Sequence, residues 1–351
     1  MELTFLQTMI LFCLQKINGE RTIYSIYHLL KGKKSSQTIQ DTHLFHLQPL
    51  FQTETNLSRN ELEKIVAEFL SDQLLINISD HRYRVTEYGE NLLGKSLAHL
   101  PIPIFLNGWK YQRKANVFWE RLSLSVQVIS HLQHNESKYM PIQRKAENLI
   151  WIKHFLKQNK LSRENLGLQL YAELIAILES DATIEPGLLV QRLSGYRTIG
   201  LTEVQAAKIW KLDPTYYHYQ FLNILHFIMG QIEGNKLQFP ILVQFLDQSK
   251  ETNLTHSTEK TYSLLKQGYS VTDIMSIRRL KKSTIEDHLV ELALHNKKFS
   301  IDPYISIKKQ QQIQRAAKKL NSKQLKHIYH EVKNADYFEI RLVLAKYGDE
   351  S

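Results

Sequence analysis

A Ser or Thr followed three residues later by a side chain that can reach back to its amide marks the start of a helix. This chain repeats that signature at Ser58 with Glu61, Thr202 with Gln205, Ser270 with Asp273 and Ser283 with Glu286. Behind the first, Leu62, Ile65, Val66, Phe69 and Leu70 recur at i, i+3, i+4, i+7 and i+8, the apolar face of an amphipathic helix. Ser162 offers another cap, and Asp213-Pro214 pairs a cap with a first-turn proline. A chain punctuated in this way is committed to a mainly α fold.

Its 351 residues suggest two or three domains. In residues 1–97 the helix after Ser58 is followed by LLINIS and RYRVT, which alternate apolar and polar residues across Asp80-His81 as an antiparallel hairpin does. Thr86 then introduces EYGENLLGKSL, a closing helix. Helix, helix, hairpin is the order of a winged-helix-like domain, here with Arg82 and Arg84 on the wing. Pro101 and Pro103 mark a linker into residues 98–250, a long all-helical middle region. Its helices are expected near 115–135, 142–159, 162–180, 186–194, 202–211, 214–232 and 238–249. The polar stretch 249–257 reads as a hinge. In residues 254–347 Gly268 ends one helix, Ser270 caps a second and Ser283 a third, a helix-turn-helix, with further helices near 303–320, 322–333 and 335–346.

Charge is unevenly spread. Residues 253–351 hold 18 Lys and Arg against 11 Asp and Glu, whereas the other 252 residues hold 27 against 24. Most of the formal charge of +10 therefore lies in the last part of the chain and favours an anionic partner there. Cys13 is the only cysteine, so neither an intrachain disulfide nor a thiolate zinc cluster can form, and it reads as a core residue. The opening MELTFLQTMILFCLQKING lacks a basic leader and is interrupted by Thr4, Gln7, Thr8 and Gln15. It reads as a buried first helix of a cytoplasmic protein, not as a signal peptide or membrane span.

Reactive constellations are scarce, and no catalysis, cofactor or metal is expected. GKKS at 32–35 matches the end of a phosphate-binding loop, but the glycine required five residues earlier is Tyr27. No G-x-S-x-G elbow and no acidic strand motif for magnesium occur. Asp41, His43 and His46 read as an ordinary polar cluster without further ligands. The aromatics Tyr216, Tyr217, Tyr219 and Phe221 read as core or partner surface, and KKQQQIQR at 308–315 as the exposed face of a helix.

The basic lead-in to the third helix of the helix-turn-helix carries the DNA reading. Arg278, Arg279, Lys281 and Lys282 can neutralise phosphates, while Ser283 and Thr284 at the helix start can dock on the backbone, with His288 one turn further. Ile285, Leu289 and Leu292 form the opposite, core-facing stripe. Glu286, Asp287 and Glu291 on the same helix would repel phosphates, and no Arg or Asn stands on its exposed face, so base-specific readout is not expected. Arg59, Asn60 and Lys64, with the wing residues Arg82 and Arg84, form a second candidate surface.

THSTEKTYSLLKQGYSVTDIMSIRRLKKSTIEDHLVELA and the later ADYFEIRLVLAKYG resemble the helix-turn-helix module at the C-terminus of some RecQ-type helicases, over about 254–347. The layout of a long helical region followed by this module, without a helicase motor, is similar to the YpbB-like proteins of Gram-positive bacteria. That resemblance implies a noncatalytic accessory factor that binds a RecQ-type helicase and contacts DNA, mainly phosphates, in repair or recombination. The alternatives are a sequence-specific transcription regulator and a protein adaptor for an acidic partner such as the tail of a single-strand-binding protein. The oligomeric state is left open.

Overall fold

The structure, a computed structural model, describes residues 2–247, 254–320, 324–332 and 334–348. The first helices are α1 (Phe5–Ile17), α2 (Ile23–Leu30), α3 (Ser36–Leu44), α4 (Arg59–Ser71) and α5 (Glu87–His99), with strands β1 (Leu75–Ser79) and β2 (Arg82–Val85) between the last two. There follow α6 (Gly108–Gln133), α7 (Ala146–Gln158), α8 (Arg163–Leu178), α9 (Gly187–Val190), α10 (Glu203–Trp210) and α11 (Pro214–Gly234). The last stretch holds α12 (His256–Lys266), α13 (Val271–Arg278), α14 (Lys282–His295), α15 (Ile307–Leu320), α16 (Leu325–Glu331) and α17 (Tyr337–Tyr347). The fold is mainly α; a single antiparallel hairpin is the only sheet among the described residues. Residues 249–253 of the segment read as a hinge lie outside the described residues, as do 322, 323 and 333 of the expected helix near 322–333.

Packing divides the chain into two compact units, one made of Met1–Thr8 with Lys95–Ser249 and the other of Met9–Gly94 with Lys250–Ser351. The first is organised around α11, which is apolar on almost every face and therefore buried. Tyr216, Tyr217, Tyr219 and Phe221 all sit in its core, and Phe5 meets Tyr216 and Tyr219 edge to face at 4.8 and 5.2 Å. Buried polar groups on α11 hold the loop before α6: Asn223 Oδ1 accepts from the Phe105 amide at 2.7 Å, and His226 Nδ1 from the Asn107 amide at 3.0 Å. Of the helix expected near 238–249, residues 248 and 249 lie outside the described residues, and the rest holds only a short 3-10 turn at Leu242–Phe245. Pro240 cannot donate in a helix, and the buried Glu173 carboxylate captures the Ile241 and Leu242 amides at 2.9–3.1 Å.

In the second unit the capping box at Ser58 is formed and Leu62, Ile65, Val66 and Phe69 are buried, as the periodicity requires. The hairpin pairs Leu75 with Val85 and Ile76 with Arg84. Cys13 is fully buried, and burial pushes its thiol up to about 12, which leaves it unreactive. Helix α14 is the hub of this unit and packs against α12, α13, α17 and α3. Asp287 of α14 takes an ion pair from Arg341 of α17 at 2.7 Å and a hydrogen bond from Ser36 of α3 at 2.9 Å. Arg341 also donates to Ser36 at 2.6 Å and Gln40 at 3.0 Å. Segments about 250 and 300 positions apart in the chain thus meet at one polar junction.

Replacing Arg341 by Ala removes the cation and strands the Asp287 carboxylate, so unfolding in urea should show a loss of roughly 1–3 kcal/mol. Hydrogen exchange should show α3 amides losing protection together with those of α14 and α17. Unchanged protection in α3 would mean that the junction does not couple the two segments.

Candidate nucleic-acid interface

The turn between α13 and α14 is set by its backbone. Arg279 takes the left-handed conformation, with φ 50° and ψ 44°, and the Leu280 amide reaches back to Met275 O at 3.1 Å. Lys281 is extended, and its carbonyl accepts from the Thr284 and Ile285 amides at 3.0 and 3.3 Å. Lys281 is therefore the N-cap and α14 begins at Lys282, which corrects the expected start at Ser283. Ser283 stands inside the first turn, and no side chain caps the helix. Glu286 pairs with Lys282 at 3.5 Å instead of closing a capping box.

The expected contact residues divide into two sets. Arg279, Lys281, Lys282 and Ser283 are exposed, and Thr284 is half-buried. Arg278 turns inward: its guanidinium donates to Ser257 O at 2.6 Å, to Ser257 Oγ at 2.9 Å and to Thr261 Oγ1, tying the end of α13 to α12. His288 is buried with its Nδ1 2.8 Å from Thr261 Oγ1. The same hydroxyl accepts from Arg278, which places a cation close to the imidazole. Burial, helped by the Arg278 charge, lowers His288 to about 4. Arg278 and His288 are thus structural, contrary to the phosphate-facing roles expected of them.

The acidic residues of α14 are also accounted for. Asp287 belongs to the junction with Arg341, and Glu291 is buried, accepting from Thr255 Oγ1 at 2.9 Å, Thr258 Oγ1 at 2.6 Å and the Thr255 amide. Residues Leu289 to Ala293 are buried without a break. Beyond Ser283 no residue of α14 is more than partly exposed, so the helix has no fully free face to lay along a groove.

On α4, Arg59, Asn60 and Lys64 are exposed. Arg59 is held by Glu63 at 2.9 Å and lies 4.1 Å above the Tyr24 ring, while Lys64 stands 4.0 Å from Glu68. On the wing Arg84 is exposed and Arg82 half-buried, beside the exposed Ile76 and Ile78. A further basic stripe went unread in the sequence. Helix α15 has no acidic residue, and Lys308, Gln312, Arg315 and Lys319 fall on one exposed face at i, i+4, i+7 and i+11. Lys319 pairs with Glu331, but Lys308, Arg315 and Lys318 carry no ion pair among the described residues. Its signal was the spacing within KKQQQIQRAAKKL.

The polar cluster in α3 is split between two neighbours. Asp41 is bound by Arg21 at 2.9 Å and Gln37 at 2.8 Å, while His43 meets His295 edge to face at 5.0 Å. Among the described residues no three His, Cys, Asp or Glu side chains converge as a metal site requires, and no helix is long and apolar enough to cross a membrane.

A family described as "Helix-turn-helix domain" matches residues 257–344, the stretch from α12 into α17. Over 349 residues the chain is 35% identical to Protein YpbB of Bacillus subtilis (strain 168), covering 99% of this chain and 98% of that protein. This chain belongs to the YpbB family. No solved structure matches it. The helix-turn-helix domain points to DNA binding.

His288 binds its proton less readily when folded than its ordinary value of 6.5 would allow, so acid favours the unfolded chain. The contribution of this group is complete above about pH 6.5 and is lost as pH falls toward 4. Replacing His288 by Gln should flatten the fall in melting temperature across that window. An unchanged slope would show that His288 is not among the groups responsible.

Proposed function

We propose that this chain is a noncatalytic accessory factor of a RecQ-type DNA helicase, which binds the helicase and contacts DNA through its helix-turn-helix in repair or recombination. The observation that carries the DNA contact is the turn into α14, where Arg279, Lys281 and Lys282 are exposed while no residue of the helix beyond Ser283 is more than partly exposed. Cations at such a turn release counterions from phosphates without reading bases. Exposed Arg and Lys residues on α15, on α4 and on the hairpin are further candidates for the same backbone-directed contact. The helicase assignment is supported by the likeness of residues 254–347 to the module that some RecQ-type helicases carry covalently. Supplied in trans, a weak DNA contact raises the local concentration of a bound motor on its strand without needing high affinity of its own.

The middle region is our candidate for the helicase-binding surface. Its large aromatics on α11 are buried and cannot serve, but Leu168 and Tyr171 of α8 and Val190 of α9 are exposed. Tyr171 and Val190 line an apolar groove of about 240 Å3 together with Ile129, Leu170 and Leu174. Exposed apolar patches of this kind favour protein contacts.

Replacing Arg279, Lys281 and Lys282 by Ala should weaken duplex binding and flatten the plot of log affinity against log salt by about 0.9 for each lost contact. Arg278→Ala should instead lower stability. An unchanged slope in the triple variant would remove the turn from the mechanism. A tagged chain should also recover a RecQ-type helicase at equal stoichiometry from nuclease-treated lysate, and Tyr171→Ala with Leu168→Asp should reduce that recovery. Absence of the helicase would contradict the accessory role.

A further inference from the structure

Beside the helix-turn-helix lies an open cleft of about 570 Å3 whose walls are the end of α12, the start of α13 and the loop from α14 to α15. Four aromatic side chains line it, Tyr262, Tyr269, Phe299 and Tyr304, together with Lys266 and Lys298. No Asp or Glu is among its lining residues. Asp273 and Asp302 stand next to lining residues but are engaged, the first by Ser270 at 2.6 Å and the second by Ser300 and Gln310, each at 2.8 Å.

The cleft is held open by identifiable contacts. Gly268 takes φ +88° at the end of α12, and the place its Cβ would occupy is empty space. Asn296 donates to the Tyr262 hydroxyl at 2.9 Å, and Lys266 stands 4.2 Å over that ring. Lys346 of α17 donates to Lys297 O at 2.5 Å and Phe299 O at 2.8 Å, pinning the loop that carries Lys298 and Phe299. The Phe299 and Tyr304 rings are inclined by only 24°, with centroids 6.1 Å apart. Tyr269 is 43% exposed at the mouth.

Flat apolar rings and ammonium groups, without a carboxylate, favour a ligand that is itself flat, aromatic and anionic. An acidic peptide would use the lysines and leave the rings idle. We propose that this cleft binds unpaired bases of a single nucleic-acid strand, stacked on Tyr269, Phe299 and Tyr304, with Lys266 and Lys298 meeting adjacent phosphates. This deepens the DNA-contact reading above and rests on it. The eight residues of α13 separate the cleft at its start from the basic turn at its end, a span of about 12 Å at the helical rise. One boundary between duplex and unpaired strand can therefore touch both.

The test is fluorescence anisotropy of the full chain with a labelled oligo-dT and, separately, a labelled hairpin duplex. Tyr269→Ala should weaken single-strand binding by roughly fivefold or more, while Tyr269→Phe, which keeps the ring, should stay close to wild type. Both variants should bind the duplex normally and keep the melting temperature. Lys298→Ala should flatten the salt dependence on the single strand by about 0.7, a change that Tyr269→Ala should not produce. Single-strand binding that survives Tyr269→Ala, or a wild-type chain that binds duplex but no single strand, would overturn the cleft and leave the basic turn standing. A wild-type chain that binds neither form would overturn both.

Discussion

Helix α14 is enclosed by α12, α13, α17 and α3 from its second turn onward, and the architecture of its unit follows from satisfying what that enclosure buries. Ile285, Leu289 and Leu292 supply apolar contact. The same helix also carries Asp287, His288 and Glu291 into the interior or its edge, and an unpaired buried polar group costs more than a paired one returns. Each has a specific partner: Arg341 with Ser36, Thr261, and Thr255 with Thr258. These partners lie on different helices, so one set of bonds fixes the positions of α3, α12 and α17 around α14.

That arrangement has a functional consequence. A helix that reads bases presents solvent-facing side chains to the groove, and beyond Ser283 no residue of α14 is more than partly exposed. What remains is a cluster of cations at a helix start, which attracts a phosphate backbone of any sequence. Basic residues elsewhere in the unit, on α15 and on the wing, are of the same kind. Under the proposed function, several weak contacts of this sort would serve a factor that borrows its place on DNA from a motor better than one that must find an operator alone.

Local signals made much of this legible. The caps at Ser58, Thr202 and Ser270, the proline after Asp213 and the glycine at 268 each act over a few residues, and all lie where the sequence places them. Ser283 misled because a capping box can be written in sequence but be shifted by the turn before it: the left-handed Arg279 and the carbonyl of Lys281 set the N-cap at Lys281, two residues earlier. Arg278 and His288 misled for a different reason. Charge and spacing put them beside the basic turn, but the chain from Arg278 through Thr261 to His288 exists only once α12 folds against α13 and α14. Asp287 was a visible anomaly on a basic helix, and its resolution lay in Ser36 and Arg341, which no local pattern connects.

The central claim is that the helix-turn-helix holds DNA by its backbone because its third helix is sealed. Repeated selection of bound duplexes from a pool with a randomised core tests this most directly. The expected outcome is a pool that stays random in sequence while binding remains strongly salt-dependent. Enrichment of one motif, discriminated from unrelated duplexes by about 10³-fold or more, would contradict it and make the chain a regulator of a defined site.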